Sequence, residues 1–137
     1  MVAEIATSPR EEDIISKRLK ILLVEDEVIT GSSLKMGLEE MGYDVCPLAT
    51  QGARAYELAL EERPDVILMD VNLPGGENGI QTAQRILREF ETQILFLTGY
   101  HDDDVITQIN AMNPLGYFVK PVSALRIRDL LKARLPH

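Results

Sequence analysis

Four of the five short apolar segments in this sequence end at a polar or charged side chain. These side chains are carboxylates, one hydroxyl and one amine: Glu25, Asp26, Glu27, Asp70, Thr98 and Lys120. Carboxylates gathered in one crevice repel one another, so a site that keeps them ionised needs a cation. Mg²⁺ suits such a site because it prefers oxygen ligands in an octahedron and keeps several of its waters.

The same side chains have the chemistry needed to accept a phosphoryl group. A bound divalent ion can bridge to a phosphoryl oxygen and leave one carboxylate free to act as the nucleophile. Lys120 would then supply compensating positive charge, and Thr98 can donate a hydrogen bond to a second phosphoryl oxygen. This combination requires neither histidine nor cysteine.

Each of these residues also has an ordinary structural explanation. Acids at positions 25–27 would be stabilised by the positive N-terminal end of a following helix. Lys120 could be a solvated lysine at a strand end, and Thr98 could cap a turn. Asp70 is harder to explain in this way, because it ends the apolar run Val66–Met69, where an aspartate is costly unless it is exposed or paired. The joint placement of the residues at segment ends therefore favours a common site.

The apolar segments alternate with longer segments of helical period, which predicts repeated βα units and a parallel sheet. The predicted strands are Ile21–Val24, Tyr43–Leu48, Val66–Met69, Ile94–Leu97 and Tyr117–Val119. Such near-continuous apolar strands are typical of a sheet with helices on both faces. A doubly wound sheet of this kind binds ligands outside the carboxyl ends of its strands, so we expect the polar residues to meet there.

Four segments between and after these strands carry an apolar stripe at helical spacing. The stripes are Leu34, Leu38 and Met41; Ile80, Ala83, Leu87 and Phe90; Val105, Ile106, Ile109 and Met112; and Ile127, Leu130, Leu131 and Leu135. A weaker helix is expected around Tyr56. The expected N-caps are Thr50 and either Asp102 or Asp103, the final helix is expected to start near Ser123, and the expected stops are Gly42 and Thr92.

Composition narrows the classes of partner and the location. The chain has 137 residues, the size of one domain, and its net charge of −8 disfavours contact with nucleic acid or anionic membranes, so the expected partners are proteins. Cys46 is the single cysteine and lies in an apolar run, which favours a buried thiol in a reducing compartment. Residues 1–20 contain no signal peptide or membrane anchor, so the expected location is cytoplasmic.

At its strand ends the sequence resembles the receiver domain of response regulators, a chemotaxis-regulator-like module of two-component signalling. The segments that carry the resemblance are ILLVEDE, ILMDVNLPGGENG, ILFLTGY and GYFVKP, in that order. The match spans about Leu19 to Leu135. It implies a flavodoxin-like α/β domain at 19–137, with five helices and strand order 2-1-3-4-5. Residues 1–18 are then an N-terminal extension, in which Glu11–Leu19 could form a short helix.

The resemblance also assigns roles to individual residues. It makes Asp70 the phosphoacceptor, assisted by Thr98 and Lys120. The implied ligands of Mg²⁺ or Mn²⁺ are Glu25, Asp26, Asp70 and the main-chain carbonyl of Asn72. Thr98 and Tyr117 are the implied switch pair. Asn72 and Tyr100 flank the expected path of the hydrolytic water, so they are the predicted controls on the lifetime of the phosphoryl group.

Three features depart from the family pattern. Glu25 stands where aspartate is common, which lengthens the arm by one methylene without removing its charge. The loop Asn72–Gly79 is one residue longer than the usual spacing to its closing glycine. Gly99 replaces the alanine that often follows the switch threonine, which gives that loop extra backbone freedom.

The resemblance implies a signalling function. A sensor histidine kinase or a histidine phosphotransfer protein would donate the phosphoryl group, and self-catalysed phosphotransfer and autodephosphorylation would be the only reactions. The face made by the fourth helix, fifth strand and fifth helix would bind a downstream protein or a second copy in a phosphorylation-dependent homodimer. Little sequence follows Leu135, so we expect output through this surface and not through a DNA-binding or catalytic domain.

Several other functions are open to test. A pseudo-receiver that is not phosphorylated would serve only as an interaction scaffold, and the chain could also be the receiver fragment of a hybrid histidine kinase. A phosphatase of the haloacid dehalogenase type needs a second aspartate where Val28 stands. A flavin mononucleotide binder needs a phosphate loop after the first strand, where the acids at 25–27 would repel phosphate.

Overall fold

The structure, a computed structural model, describes residues 18–137. The extension predicted at 1–18 and the helix predicted at Glu11–Leu19 lie almost wholly outside the described residues. The strands are β1 (Lys20–Val24), β2 (Asp44–Val45), β3 (Val66–Asp70), β4 (Gln93–Thr98) and β5 (Gly116–Val119). The helices are α1 (Val28–Glu40), α2 (Gly52–Glu62), α3 (Gly79–Leu87), α4 (Asp103–Ala111) and α5 (Ala124–Arg134).

The five strands form one parallel sheet in the order β2-β1-β3-β4-β5, which confirms the predicted doubly wound fold. The register pairs Val24 with Met69, Asp70 with Leu97, and Thr98 with Val119. The ends of neighbouring strands are therefore level with one another. The residues that follow them meet at one edge of the sheet.

Helices cover both faces of the sheet, and this is why the strands are apolar on both sides. On one face, α1 and α5 pack against the sheet through Leu34, Leu38, Ile127 and Leu131. On the other face, α2, α3 and α4 pack through Ala55, Leu58, Ala59, Ile80, Ala83, Ile86 and Ile109. Every residue of β3 is buried, including Asp70 at its end. The longest helix of the described part has 13 residues, and no helix there is long and apolar enough to cross a membrane.

The second strand is shorter than the predicted Tyr43–Leu48. Only Asp44 and Val45 pair regularly with β1, although the chain returns to β1 in an isolated bridge between Ala49 and Val24. The amides of Cys46 and Ala49 donate to β1, three residues apart instead of the two of a regular ladder. Pro47 lies between them and has no N–H to donate, so the strand is interrupted there.

The helix boundaries were predicted in part. Ser123 caps α5 by accepting a hydrogen bond from the Arg126 amide, and Asp102 caps α4 by accepting two. The prediction that Thr50 caps α2 is wrong, because the N-cap residue is Gln51, which makes no side-chain cap.

Two stops were predicted for helix ends. Gly42 follows the end of α1 with a left-handed φ of 96°, which favours glycine. The third helix ends at Leu87, earlier than the stop predicted at Thr92, whose hydroxyl instead donates to the Pro64 carbonyl at 2.8 Å.

Candidate functional site

Three acidic side chains come together at the carboxyl edge of the sheet. One carboxylate oxygen each from Glu25, Asp26 and Asp70 lies within 4.8 Å of the others. Asp70 is 0% exposed and Glu25 is 1% exposed, whereas Asp26 faces solvent. Burying two carboxylates is costly unless each is paired, so their surroundings must supply positive charge or hydrogen bonds.

Lys120 supplies that charge from the end of β5. Its Nζ atom lies 2.9 Å from Asp70 Oδ2 and 3.2 Å from Glu25 Oε1, so one ammonium group bridges both buried acids. The Lys120 amide donates to the Thr98 carbonyl at 2.7 Å, which holds the main chain at Lys120 beside β4. Three carboxylates and one ammonium group leave the cluster with an excess of negative charge.

Main-chain amides hold the remaining oxygens of the two buried acids. The Asn72 amide donates to Asp70 Oδ1 at 3.0 Å, and the Glu27 amide donates to Glu25 Oε2 at 3.1 Å. Each buried carboxylate thus has one oxygen on Lys120 and the other on an amide. This arrangement fixes both carboxylates in place without neutralising the cluster.

Burial and the neighbouring charges shift the pKa values of Glu25 and Lys120. The pKa of Glu25 is raised to about 7, chiefly by burial and also by the hydrogen-bonding contact and charge of Asp70, against the opposing effects of the Glu27 amide and Lys120. Burial lowers the pKa of Lys120, but Asp70 and Glu25 outweigh it, so the pKa of this lysine is raised. The donor set of clustered, hard carboxylate oxygens therefore fits a divalent cation such as Mg²⁺.

Thr98, at the end of β4, is also buried at this edge. Its hydroxyl donates to the Tyr100 main-chain carbonyl at 3.1 Å. To bind a phosphoryl oxygen, this hydroxyl has to exchange that partner. The Tyr100 ring itself is 57% exposed, and the Asn72 side-chain nitrogen lies 3.8 Å from the position a Cβ atom would take at Gly99. The loops after β3 and β4 are therefore neighbours.

Tyr117, the predicted switch aromatic, is half-buried in β5. It packs against the core cluster beneath α4, which also includes Val105, Ile106 and Met112 at its border. Tyr117 thus lies on the face of the sheet that α2, α3 and α4 cover.

The loop between β3 and α3 is anchored by residues whose role the sequence did not reveal. Glu77 accepts hydrogen bonds from Arg85 at 2.9 and 3.1 Å and from the Thr82 hydroxyl at 3.1 Å. The Arg85 guanidinium lies over the Tyr56 ring of α2 at 3.9 Å from its centroid. The spacing Asn78–Gln81, which forms a capping box, was the available signal that α3 begins here.

Gly79 explains why the loop must close on a glycine. A Cβ atom at this position would overlap the main-chain carbonyl of Asp70, so α3 begins directly against the backbone of that residue. The Gly79 amide also donates to the Val71 carbonyl at 2.8 Å. Within the loop, Gly75 and Gly76 both have a left-handed φ, which favours glycine.

Comparison with known proteins agrees with this geometry. Residues 21–132 match the family model described as the response regulator receiver domain. The chain therefore belongs to the response regulator receiver family, a family of two-component signalling modules that are generally not classical enzymes.

Particular relatives share the receiver domain but are longer. The oxygen regulatory protein NreC of Staphylococcus haemolyticus is 33% identical over 105 residues, which cover 74% of this chain and 48% of that protein. The transcriptional regulatory protein PdtaR of Mycobacterium tuberculosis is 32% identical over 127 residues, covering 93% of this chain and 60% of that protein. The chain thus spans about half the length of these curated relatives.

A solved structure gives the same fold. The BeF3-activated N-terminal receiver domain of RstA from Klebsiella pneumoniae is 27% identical, with a TM-score of 0.75. The match covers 86% of this chain and 99% of that one.

The raised pKa of Glu25 predicts a pH dependence of Mg²⁺ binding. A protonated Glu25 must lose its proton to act as a ligand, so the apparent affinity should fall as the pH drops below about 7. The fall should approach roughly tenfold per pH unit well below the pKa. Calorimetric titration between pH 8 and pH 5.5 measures it, and Glu25→Gln should flatten the dependence over this range.

Glu27→Gln is the matched control, because Glu27 is an exposed acid two residues away and lies outside the cluster. It should keep the pH dependence of the wild type. If the wild type bound Mg²⁺ equally well at pH 6 and pH 8, Glu25 would not titrate as a ligand.

Proposed function

We propose that the chain is a phosphoacceptor that takes a phosphoryl group onto Asp70 from a phosphohistidine. The donor is a sensor histidine kinase or a histidine phosphotransfer protein. The observation that carries the proposal is the bridge that Lys120 makes between the buried carboxylates of Asp70 and Glu25. Asp70, the proposed nucleophile, thus shares one crevice with a cationic side chain and two further acids, which supports the proposal.

In the transfer, a carboxylate oxygen of Asp70 forms the new bond to phosphorus while the bond from phosphorus to the imidazole nitrogen breaks. Glu25, Asp26, Asp70 and the Asn72 carbonyl would hold Mg²⁺ or Mn²⁺, and the bound ion would neutralise charge on the phosphoryl oxygens. The Asn72 amide fixes the orientation of Asp70 before the transfer. Lys120 remains beside Asp70 and offsets the negative charge that arrives with the phosphoryl group.

Signal output would begin at Thr98. Its hydroxyl would leave the Tyr100 carbonyl for a phosphoryl oxygen, and the loop after β4 would move with it. Tyr117 lies on the neighbouring strand and packs beneath α4, so its ring would respond to the same movement. The surface of α4, β5 and α5 would then bind a downstream protein or a second copy of the chain. The names of NreC and PdtaR favour a regulatory role.

Phosphorylation at a single position is the first test. Incubation with Mg²⁺ and acetyl phosphate should add the mass of one phosphoryl group to the intact chain, because Asp70 is the acid bonded to both Lys120 and the Asn72 amide. Asp70→Asn should abolish the adduct. Intact-mass spectrometry measures both.

Asp129→Asn, which changes an exposed aspartate of α5, is the control and should retain the adduct. Persistence of the adduct in Asp70→Asn would show that another residue is the nucleophile. A wild type that took up no phosphoryl group from any donor would support the interaction scaffold instead.

Tyr100 should control how long the phosphoryl group persists. Tyr100 is exposed, and its main-chain carbonyl accepts from the Thr98 hydroxyl. If its bulky ring restricts the approach of water, Tyr100→Ala should speed dephosphorylation severalfold. Tyr100→Phe keeps the ring and should decay at the rate of the wild type. The decay of the phosphorylated chain after removal of acetyl phosphate measures these rates, and equal rates in all three proteins would remove Tyr100 from the mechanism.

A further inference from the structure

A groove of about 420 Å³ lies at the edge of the sheet opposite the acidic cluster. It opens between the ends of α1 and α5, beside the chain that enters β1. Its apolar floor includes Leu19, Met41 and Tyr43. The Tyr43 ring is buried beneath the ring of His137, and its hydroxyl lies 2.9 Å from His137 Nε2.

The rim of this groove is cationic, although the chain as a whole carries a net charge of −8. Arg18, Arg128 and Lys132 line it. Arg128 contacts the Asp129 carboxylate of its own helix at 3.3 Å, while Lys132 Nζ donates to the neutral main-chain carbonyl of His137 at 3.2 Å. An apolar floor with a cationic rim fits an acidic segment that also carries apolar side chains.

We propose that the segment Glu11–Ile15 of the same chain binds this groove. The segment reads Glu-Glu-Asp-Ile-Ile, so three acids precede two large apolar side chains. The acids complement Arg128 and Lys132, and the isoleucines complement the apolar floor at Leu19 and Met41. This inference is independent of phosphorylation at Asp70.

The position of the segment in the sequence favours it over other occupants. Ile15 is three residues before Arg18, which already lines the groove, and Glu11 is seven residues before it. An extended chain spans about 3.3–3.6 Å per residue, so the segment can reach across the groove. A short tether gives an effective concentration of about the millimolar range, so contacts too weak for a free peptide are sufficient.

The bound segment would cover the ends of α1 and α5. A partner with an acidic and apolar segment would then have to displace it. The same segment from a second copy of the chain would present the same chemistry, and the dependence on protein concentration separates that arrangement from the intramolecular one.

Methyl resonances of the full chain test the proposal directly. Met41 lines the groove, whereas Met36 is exposed on α1 outside it, so the two methionines serve as reporter and internal control. The double variant Ile14→Ser/Ile15→Ser should shift the Met41 methyl resonance and leave that of Met36 unchanged. Ile5→Ser, an apolar change outside the segment, should leave both unchanged.

An unchanged Met41 resonance in the double variant would overturn the proposal. A difference between wild type and variant that grew with protein concentration would overturn the intramolecular form of it, because a second copy would then supply the segment. A difference that is independent of concentration is the expected result.

Charge exchange supplies a second readout that does not depend on the isoleucines. Lys132→Glu and Glu12→Lys should each lower the melting temperature by a few degrees, and the pair together should recover most of the loss because the opposite charges meet again. Glu61→Lys, at an exposed site on α2, is the control partner and should give no recovery with Lys132→Glu. Additive losses for Lys132→Glu with Glu12→Lys would contradict a contact between the segment and the groove.

Discussion

One ammonium group held between two buried carboxylates is the interaction on which the site depends. Lys120 lies within 3.2 Å of both Asp70 and Glu25, and neither acid is accessible to solvent. The lysine makes burial of the acids tolerable, but a third carboxylate from Asp26 leaves the cluster negatively charged. The site is therefore stable enough to fold and still favours the binding of a further cation or the loss of a charge.

The parallel sheet positions these groups at one edge. The sheet register brings the ends of β1, β3, β4 and β5 to the same level, so the residues that follow the strands meet. Helices pack on both faces of the sheet, so the strands that end at the site lie within a close-packed core. Gly79 packs closely against the Asp70 backbone and Glu77 anchors the loop after β3, so the loop after β4 is the part that would respond.

The sequence was sufficient to predict the parallel sheet, its five strands and the residues of the acidic cluster. Apolar runs that end at charged residues indicate where strands end. The boundaries of β2 and α2 were not. At β2, Pro47 interrupts the ladder within an otherwise apolar run, and at α2, Gln51 replaces the better capping residue Thr50. The anchoring of Glu77 by Arg85 was also hidden, since it depends on a loop conformation that two glycines permit.

The melting temperature of Asp70→Asn in EDTA tests the central claim, that the metal-free cluster is held together against net like-charge repulsion. The comparison belongs above pH 8, where Glu25 is ionised, since its pKa is raised to about 7. Removing about 1 kcal/mol of repulsion should raise the melting temperature by roughly 2–8 °C relative to the wild type. A variant that melted below the wild type, as after an ordinary core substitution, would show that the carboxylates do not form one electrostatic site.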